Sequence, residues 1–198
     1  MNPTKRLFLL SSLAAALVLA GCKDASHSGA TAPAAPAQAA APVSVEAISA
    51  EAQGFSVGPA MSARTVYVFF DAQCPHCAAL WQAAKPLKSQ ARFVWIPVGL
   101  LNKTSTTQGA AILAATDPVA AMDQHEASMA EKKGGIGDSG GDAQKQAVGR
   151  NTQLMNKFGF ASIPTIVAKH AQTGELVVID GAMPTAALAA KLGLNAPS

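Results

Sequence analysis

Cys74 and Cys77, with Pro75 and His76 between them, are the residues of this sequence best suited to carry out chemistry. Two thiols at this spacing can alternate between a dithiol and a disulfide, and the exchange starts from a thiolate. A protonated His76 would stabilise a nearby thiolate, so we expect Cys74 to ionise well below the ordinary thiol pKa of about 8.5. The four residues predict a redox-active pair.

The residues around the pair place it where a strand meets a helix. The run Thr65–Phe70 is β-branched and aromatic and predicts a buried strand. The apolar residues that follow fall on one face of a helix: Leu80, Trp81 and Ala84. Pro75 fits the first helical position, which puts Cys74 at the helix N-terminus. The helix dipole and unpaired N–H groups there stabilise an anion.

Two other uses of a cysteine pair are disfavoured. If the pair formed half of a structural zinc site, the protein would need two more ligands at suitable spacing. Apart from Cys22, the sequence offers only isolated histidines: His27, His125 and His170. A purely structural disulfide would close a four-residue loop and constrain little chain entropy. We therefore expect no metal and no other cofactor at this pair.

The first 21 residues form a predicted targeting signal. Its apolar run, Leu7–Ala20, is too short and wrongly flanked for a stable transmembrane helix. The segment Leu19–Cys22 resembles the lipobox of bacterial lipoproteins, which implies cleavage before Cys22 and acylation of its sulfur and amine. Lys23 stands where an aspartate would favour inner-membrane retention, so we expect outer-membrane sorting, facing the periplasm. An ordinary secreted protein cut nearby is the alternative.

Cys22 as a lipid anchor would leave one redox pair among three cysteines. Of the 15 basic residues, two lie in the signal, and the other 13 are matched by 12 acidic residues. Without a basic cluster, nucleic acid is not an expected partner.

Residues 26–42 are mostly Ala, Pro, Ser and Gln and predict an unfolded tether. The expected organisation is a signal peptide at 1–21, a lipid-anchored tether at 22–60 and a catalytic domain at 61–198.

Strand and helix patterns alternate from about residue 60, which predicts an α/β fold. The further expected elements are a strand at 91–99, helices at 107–115, 117–132 and 151–158, a hairpin through Thr173 and Gly174, and a helix at 184–191. Pro164 directly before a β-branched strand is awkward unless the Ile163–Pro164 bond is cis. Met122 and Met129 share one helix face and are expected in a core or groove rather than as metal ligands.

The sequence resembles the catalytic domain of the DsbC/DsbG disulfide isomerases over about residues 62–194. The resemblance rests on Cys-Pro-His-Cys after a strand and on Ile-Pro-Thr before a hairpin and a final helix. Three further segments carry it: Val66–Asp71, Ala110–Pro118 and His125–Ser128. It implies a thioredoxin-like fold with a helical insertion between Trp95 and Asn151.

The same resemblance implies a role for each site residue. Cys74 would be the exposed nucleophile that attacks a substrate disulfide, and Cys77 would resolve the mixed disulfide. Pro164 matches the family's cis-proline, and the backbone of Ile163 would pair with an extended substrate peptide. The expected function is a periplasmic reductase or isomerase that acts on protein disulfides or oxidised thiols. A membrane thiol donor of the DsbD kind would keep it reduced.

Three features differ from that family. The sequence leaves no room for its N-terminal dimerisation module, so we expect a monomer. Ile163 stands where DsbC and DsbG carry threonine. Pro75 and His76 match DsbA, which is a strong oxidant. Its reduction potential is about −120 mV, against about −270 mV for thioredoxin. A DsbA-like oxidase is therefore the alternative, and a lipoprotein that binds Cu(I) through the two cysteines and a nearby His or Met is another.

Overall fold

The structure is a computed structural model that describes residues 39–196. The expected signal peptide, the expected lipid anchor Cys22 and residues 22–38 of the expected tether lie outside these residues. Between residues 39 and 196, no helix is both long enough and apolar enough to cross a membrane.

Five strands and six α-helices form the described part of the chain. The strands are β1 Phe55–Val57, β2 Thr65–Asp71, β3 Arg92–Val98, β4 Thr165–Lys169 and β5 Leu176–Asp180. The helices are α1 Val45–Glu51, α2 Pro75–Ala84, α3 Lys103–Ala114, α4 Pro118–Ala130, α5 Asp142–Lys157 and α6 Thr185–Leu192, with a short 3₁₀ helix, Lys85–Leu87, after α2. The sheet order is β1-β3-β2-β4-β5, and only β2 and β3 among these neighbours run parallel. Helices α3 to α5 form the predicted insertion between β3 and β4.

β2 is the central strand and ends at the predicted site. It pairs in parallel with β3 and antiparallel with β4, and its residues from Val66 onward are buried. A strand covered on both faces needs a continuous apolar sequence, which this one has. On one face, Trp81 of α2 packs edge-on against Trp95 of β3, with ring centroids 4.9 Å apart. On the other face, Phe69 lies in a second cluster with Leu154 of α5.

Two helices begin earlier than their apolar patterns indicate. α3 begins at Lys103 because Asn102 caps it: the Asn102 side chain accepts hydrogen bonds from two backbone N–H groups of the first turn. α5 begins at Asp142 rather than at residue 151, and its first half is largely polar. Only Ala147 and Val148 in that half are buried, too few to reveal the helix in the sequence.

The folded part of the chain begins before the boundary expected at residue 61. β1 pairs antiparallel with β3, and α1 buries Ile48 against the sheet. Both elements are short, so periodicity gives little sign of them. Asn151 of α5 joins this segment to the sheet. Its side chain accepts a hydrogen bond from the Gln53 N–H (2.9 Å) and donates to the carbonyl oxygens of Gln53 (2.7 Å) and Pro97 (3.0 Å).

We expect Asn151→Ala to lower the free energy of unfolding by about 2–4 kcal/mol, because it removes one buried hydrogen bond to Pro97 and two partly buried ones to Gln53. Urea denaturation at fixed pH measures the change. Asn156→Ala is the matched control, since Asn156 is exposed on the same helix and its loss should cost at most about 0.5 kcal/mol. Equal effects of the two substitutions would contradict the role given to Asn151.

Candidate active site

The turn between β2 and α2 sets the position of Cys74. The Cys74 N–H donates to the Asp71 carbonyl at 3.0 Å. The Asp71 side chain is fully buried, and its carboxylate accepts from the N–H groups of Gln73 (2.8 Å), Leu100 (2.8 Å) and Leu101 (3.1 Å). Asp71 therefore joins the turn to the loop that follows β3. Sequence reasoning gave it no role, and its one signal is a charged residue ending a buried strand.

Cys74 is the N-cap residue of α2, and Pro75 occupies the first turn, as predicted. The Cys74 carbonyl accepts hydrogen bonds from the N–H groups of Cys77 (3.0 Å) and Ala78 (3.1 Å). Both cysteines are free thiols, and His76 is exposed. Cys74 is 6% exposed and Cys77 0%. The expectation of an exposed Cys74 is wrong for this structure, because α4 and the loop before β4 pack around it.

The loop before β4 brings Ile163 and Pro164 to the cysteines. The Ile163–Pro164 peptide bond is cis, in agreement with the family resemblance. The Ile163 carbonyl oxygen lies 3.8 Å from Cys74 Sγ, within reach of a thiol donor. Asp180, at the end of β5, holds this loop by accepting hydrogen bonds from the hydroxyls of Ser162 (2.7 Å) and Thr165 (3.2 Å).

The two thiols are held in opposite protonation states. The pKa of Cys74 is lowered to about 6, chiefly because the Cys77 thiol donates a hydrogen bond to it. Burial opposes this shift, while the backbone N–H groups of Cys77 and His76 and the charge of His76 add to it. The same contact and burial raise the pKa of Cys77. Near neutral pH, Cys74 is thus the thiolate and Cys77 the thiol.

A pocket of about 210 Å³ opens beside Cys74 between α2 and α4. Its lining residues are Ala72, Gln73, Cys74, Pro75, Ala78, Glu126, Met129 and Ala130. Met129 is thus a groove residue and Met122 a core residue, as the sequence predicted. Burial, together with the charges of Cys74 and Asp123, raises the pKa of Glu126 to about 7. Glu126 lies within the segment His125–Ser128, and the sequence alone indicates no function for it.

A network of buried polar side chains holds the turn between β2 and α2. The His125 ring accepts from the Ile136 N–H through Nδ1 (3.3 Å), so its Nε2–H donates to the Ala72 carbonyl (2.7 Å). Burial lowers the pKa of His125, in agreement with this neutral ring. Gln108 accepts from the Gln73 side chain and donates to the Ile136 carbonyl at 3.0 Å. The sequence gave no sign of these contacts, which join segments far apart in the chain.

The structure brings Ile163 and Pro164 to the Cys74–Cys77 segment, which includes Pro75 and His76, but not His125 or His170. His125 lies under the turn, and His170 follows β4 at the opposite end of the sheet. No three His, Cys, Asp or Glu side chains gather as a metal site anywhere in residues 39–196.

Known sequences match most of the chain. Residues 56–195 match the family model described as a thioredoxin-like domain. The thiol:disulfide interchange protein DsbG of Pseudomonas aeruginosa is 34% identical over 141 residues, which are 69% of this chain and 54% of that protein. DsbG of Escherichia coli is 33% identical over 103 residues, 51% of this chain and 42% of that protein. The chain spans about half the length of these relatives.

Solved structures share the architecture at lower sequence identity. The catalytic domain of Proteus mirabilis ScsC has a TM-score of 0.59 at 16% identity and covers 75% of this chain and 96% of that domain. A disulfide interchange protein from Neisseria gonorrhoeae has a TM-score of 0.56 at 20% identity, covering 71% and 93%. These likenesses concern the fold, and they confirm the predicted thioredoxin-like architecture with its helical insertion.

We expect the Cys74 thiolate of the reduced protein to titrate near pH 6, being present above that value and lost below it. Cys77→Ala should raise this pKa by about one unit or more, because it removes the main hydrogen-bond donor. His76→Ala should raise it less, since His76 is exposed and acts through weaker effects.

Ultraviolet absorbance of the thiolate measures all three titrations. His170→Ala is the control, because His170 lies at the far end of the sheet and should leave the pKa unchanged. A larger shift from His76→Ala than from Cys77→Ala would reverse the assignment of the main donor.

Proposed function

The chain belongs to the thioredoxin-like domain family, and we propose that it catalyses thiol–disulfide exchange on protein substrates. Cys74 is the nucleophile, and Cys77 is the resolving thiol. The observation that carries the proposal is the pairing of a helix N-terminal Cys74, whose pKa is about 6, with a buried Cys77 thiol. A thiolate at neutral pH beside a second thiol is what exchange requires.

The first step forms a mixed disulfide. The Cys74 thiolate attacks one sulfur of the substrate disulfide, a new S–S bond forms, and the other substrate sulfur leaves with the bonding electron pair. Cys74 loses its negative charge in this step. Because that charge and the Cys77–Cys74 hydrogen bond hold the Cys77 pKa high, their loss makes Cys77 easier to ionise. Cys77 then attacks Cys74 Sγ and releases the substrate thiol.

Substrate binding is assigned to the two loops beside Cys74. The backbone of Ile163, before cis-Pro164, would pair with an extended substrate segment as an added strand does. Leu100 and Leu101 are 43% and 52% exposed, and Asp71 holds their backbone next to the turn. Exposed apolar side chains at this place suit an unfolded polypeptide better than a small polar disulfide.

The direction of exchange has two candidates. Similarity to two proteins named DsbG supports a reductase or isomerase, kept reduced by a membrane thiol donor of the DsbD kind. The lowered pKa of Cys74 supports a DsbA-like oxidase, because a stable thiolate favours the reduced form of the protein and makes its disulfide more oxidising. We place the reductase or isomerase first, since the sequence similarity covers most of the chain.

The cellular setting belongs to the same proposal. A lipid anchor at Cys22 and an Ala/Pro-rich tether would hold the domain at the periplasmic face of a membrane, which we assign to the outer membrane. The protein would act there as a monomer. Protein disulfides and oxidised thiols would be its substrates.

Cys74→Ser should reduce turnover of a protein disulfide to the uncatalysed rate, because serine is a far weaker nucleophile. Cys77→Ser should instead accumulate protein–substrate mixed disulfides, since the resolving thiol is missing. Non-reducing electrophoresis and single-turnover kinetics measure both effects. Full activity of Cys74→Ser would refute the proposed function.

The resting redox state in growing cells separates the two directions. We expect Cys74 and Cys77 to be mostly reduced, as shown by acid quenching followed by alkylation with a reagent that shifts the mass. Deleting the membrane thiol donor should turn them mostly oxidised. A pair that is mostly oxidised with the donor present would indicate an oxidase.

A further inference from the structure

The pocket between α2 and α4 holds a carboxyl group that the exchange steps above do not use. Glu126 is 7% exposed and lines the pocket together with Cys74 and Ala78. The hydrogen bonds found in residues 39–196 include three to the Asp71 carboxylate and none to that of Glu126. Burial without hydrogen-bond donors disfavours the charged carboxylate, so Glu126 is easier to protonate than an exposed glutamate.

We propose that Glu126 is the group that gives a proton to, and takes one from, the substrate sulfur during exchange at Cys74. The inference rests on the thiol–disulfide function proposed above and adds a named proton donor to it. Its basis is geometric, since Glu126 and Cys74 share one small pocket, open to a substrate, with mostly apolar walls.

The other charged groups around the pocket are already engaged. Asp123, one turn before Glu126 on α4, lies 2.6 Å from Lys85 Nζ and accepts a hydrogen bond from Trp81 Nε1 at 2.7 Å, and these contacts hold its pKa low. His125 bonds to the turn on its own side of the helix. Cys74, Asp123 and Lys85 are the groups that act electrostatically on Glu126. Glu126 is therefore the carboxyl beside Cys74 that can carry a proton at neutral pH.

The proton transfer completes the first exchange step. As the substrate S–S bond breaks, the leaving sulfur takes the bonding electron pair, and the Glu126 carboxylic acid gives it a proton. The displaced sulfur becomes a neutral thiol while the substrate stays bound to Cys74 through its other sulfur, and Glu126 becomes a carboxylate. The Cys74 charge has meanwhile been consumed in the new S–S bond, so the carboxylate no longer faces a thiolate. In the reverse step, the carboxylate takes the proton from an incoming substrate thiol, which makes that thiol a nucleophile.

This arrangement predicts a narrow pH range. Cys74 must be ionised and Glu126 protonated, and their pKa values are about 6 and about 7. The rate should therefore rise with pH through about 6 and fall above about 7. The fall applies to disulfides whose leaving sulfur needs a proton at neutral pH.

The test compares the reduced protein and Glu126→Gln, which keeps the size of the side chain but carries no acid. Each reacts with glutathione disulfide, whose alkyl thiol leaves slowly without a proton, and with dithiobis(nitrobenzoate), whose aromatic thiolate leaves unprotonated. Glu126→Gln should slow the first reaction by at least about tenfold and abolish its decline above neutral pH. It should leave the second reaction unchanged or faster. Glu131→Gln is the control, because Glu131 is an exposed carboxylate paired with Lys133.

Glu126→Asp retains a carboxylic acid, so its rate of reaction with glutathione disulfide should still fall at alkaline pH. This variant distinguishes loss of the acid from misfolding caused by the glutamine substitution. Equal slowing of both disulfides by Glu126→Gln, or no change with either, would overturn the role of Glu126 and leave the function of Cys74 intact. If wild-type protein and Cys74→Ser react alike with both disulfides, the proposed function itself fails. The two failures are thus distinct.

Discussion

The hydrogen bond from the Cys77 thiol to the Cys74 sulfur forms within the first turn of α2, and it sets the protonation states of both thiols. A helix places residues three apart on one side, so Cys77 reaches Cys74 only because α2 begins at Pro75. The contact lowers the pKa of one thiol and raises that of the other. One thiolate and one thiol result. In the proposed mechanism, this difference disappears when Cys74 enters a mixed disulfide, which would couple the reactivity of Cys77 to the progress of the reaction.

Three segments distant in sequence surround this pair, and each is held by polar side chains. Buried Asp71 binds the loop after β3, exposed Asp180 binds the loop that carries Ile163, and buried His125 joins α4 to the turn. Hydrogen bonds are specific in direction, whereas apolar packing is not. The sheet and its aromatic core stabilise the fold, and these polar contacts position the Cys74 sulfur.

The helical insertion contributes more than a cover for the core. Through α4 it places Glu126 and Met129 in the pocket wall opposite α2. The packing of α4 beside Cys74 contributes to the small exposure of this residue, and burial in the pocket raises the pKa of Glu126 to about 7. The lowered pKa of Cys74 and the similarity to DsbG support opposite proposals for the direction of exchange. The pKa depends mainly on the contact with Cys77, whereas the similarity extends over most of the chain.

The sequence alone indicated a redox-active cysteine pair and the order of the main elements. Local patterns sufficed for the positions of Cys74, Cys77, β2 and α2, because neighbouring residues fix each of them, whereas the cis bond at Pro164 was implied by the family resemblance. Sequence patterns did not reveal elements that are held by tertiary contacts and lack a regular spacing of apolar residues. These elements are the polar first half of α5 and the short α1 and β1. Only the tertiary structure decided how far Cys74 is buried and which carboxyl groups lie near it. Such burial depends on packing between segments dozens of residues apart, and no local spacing records it.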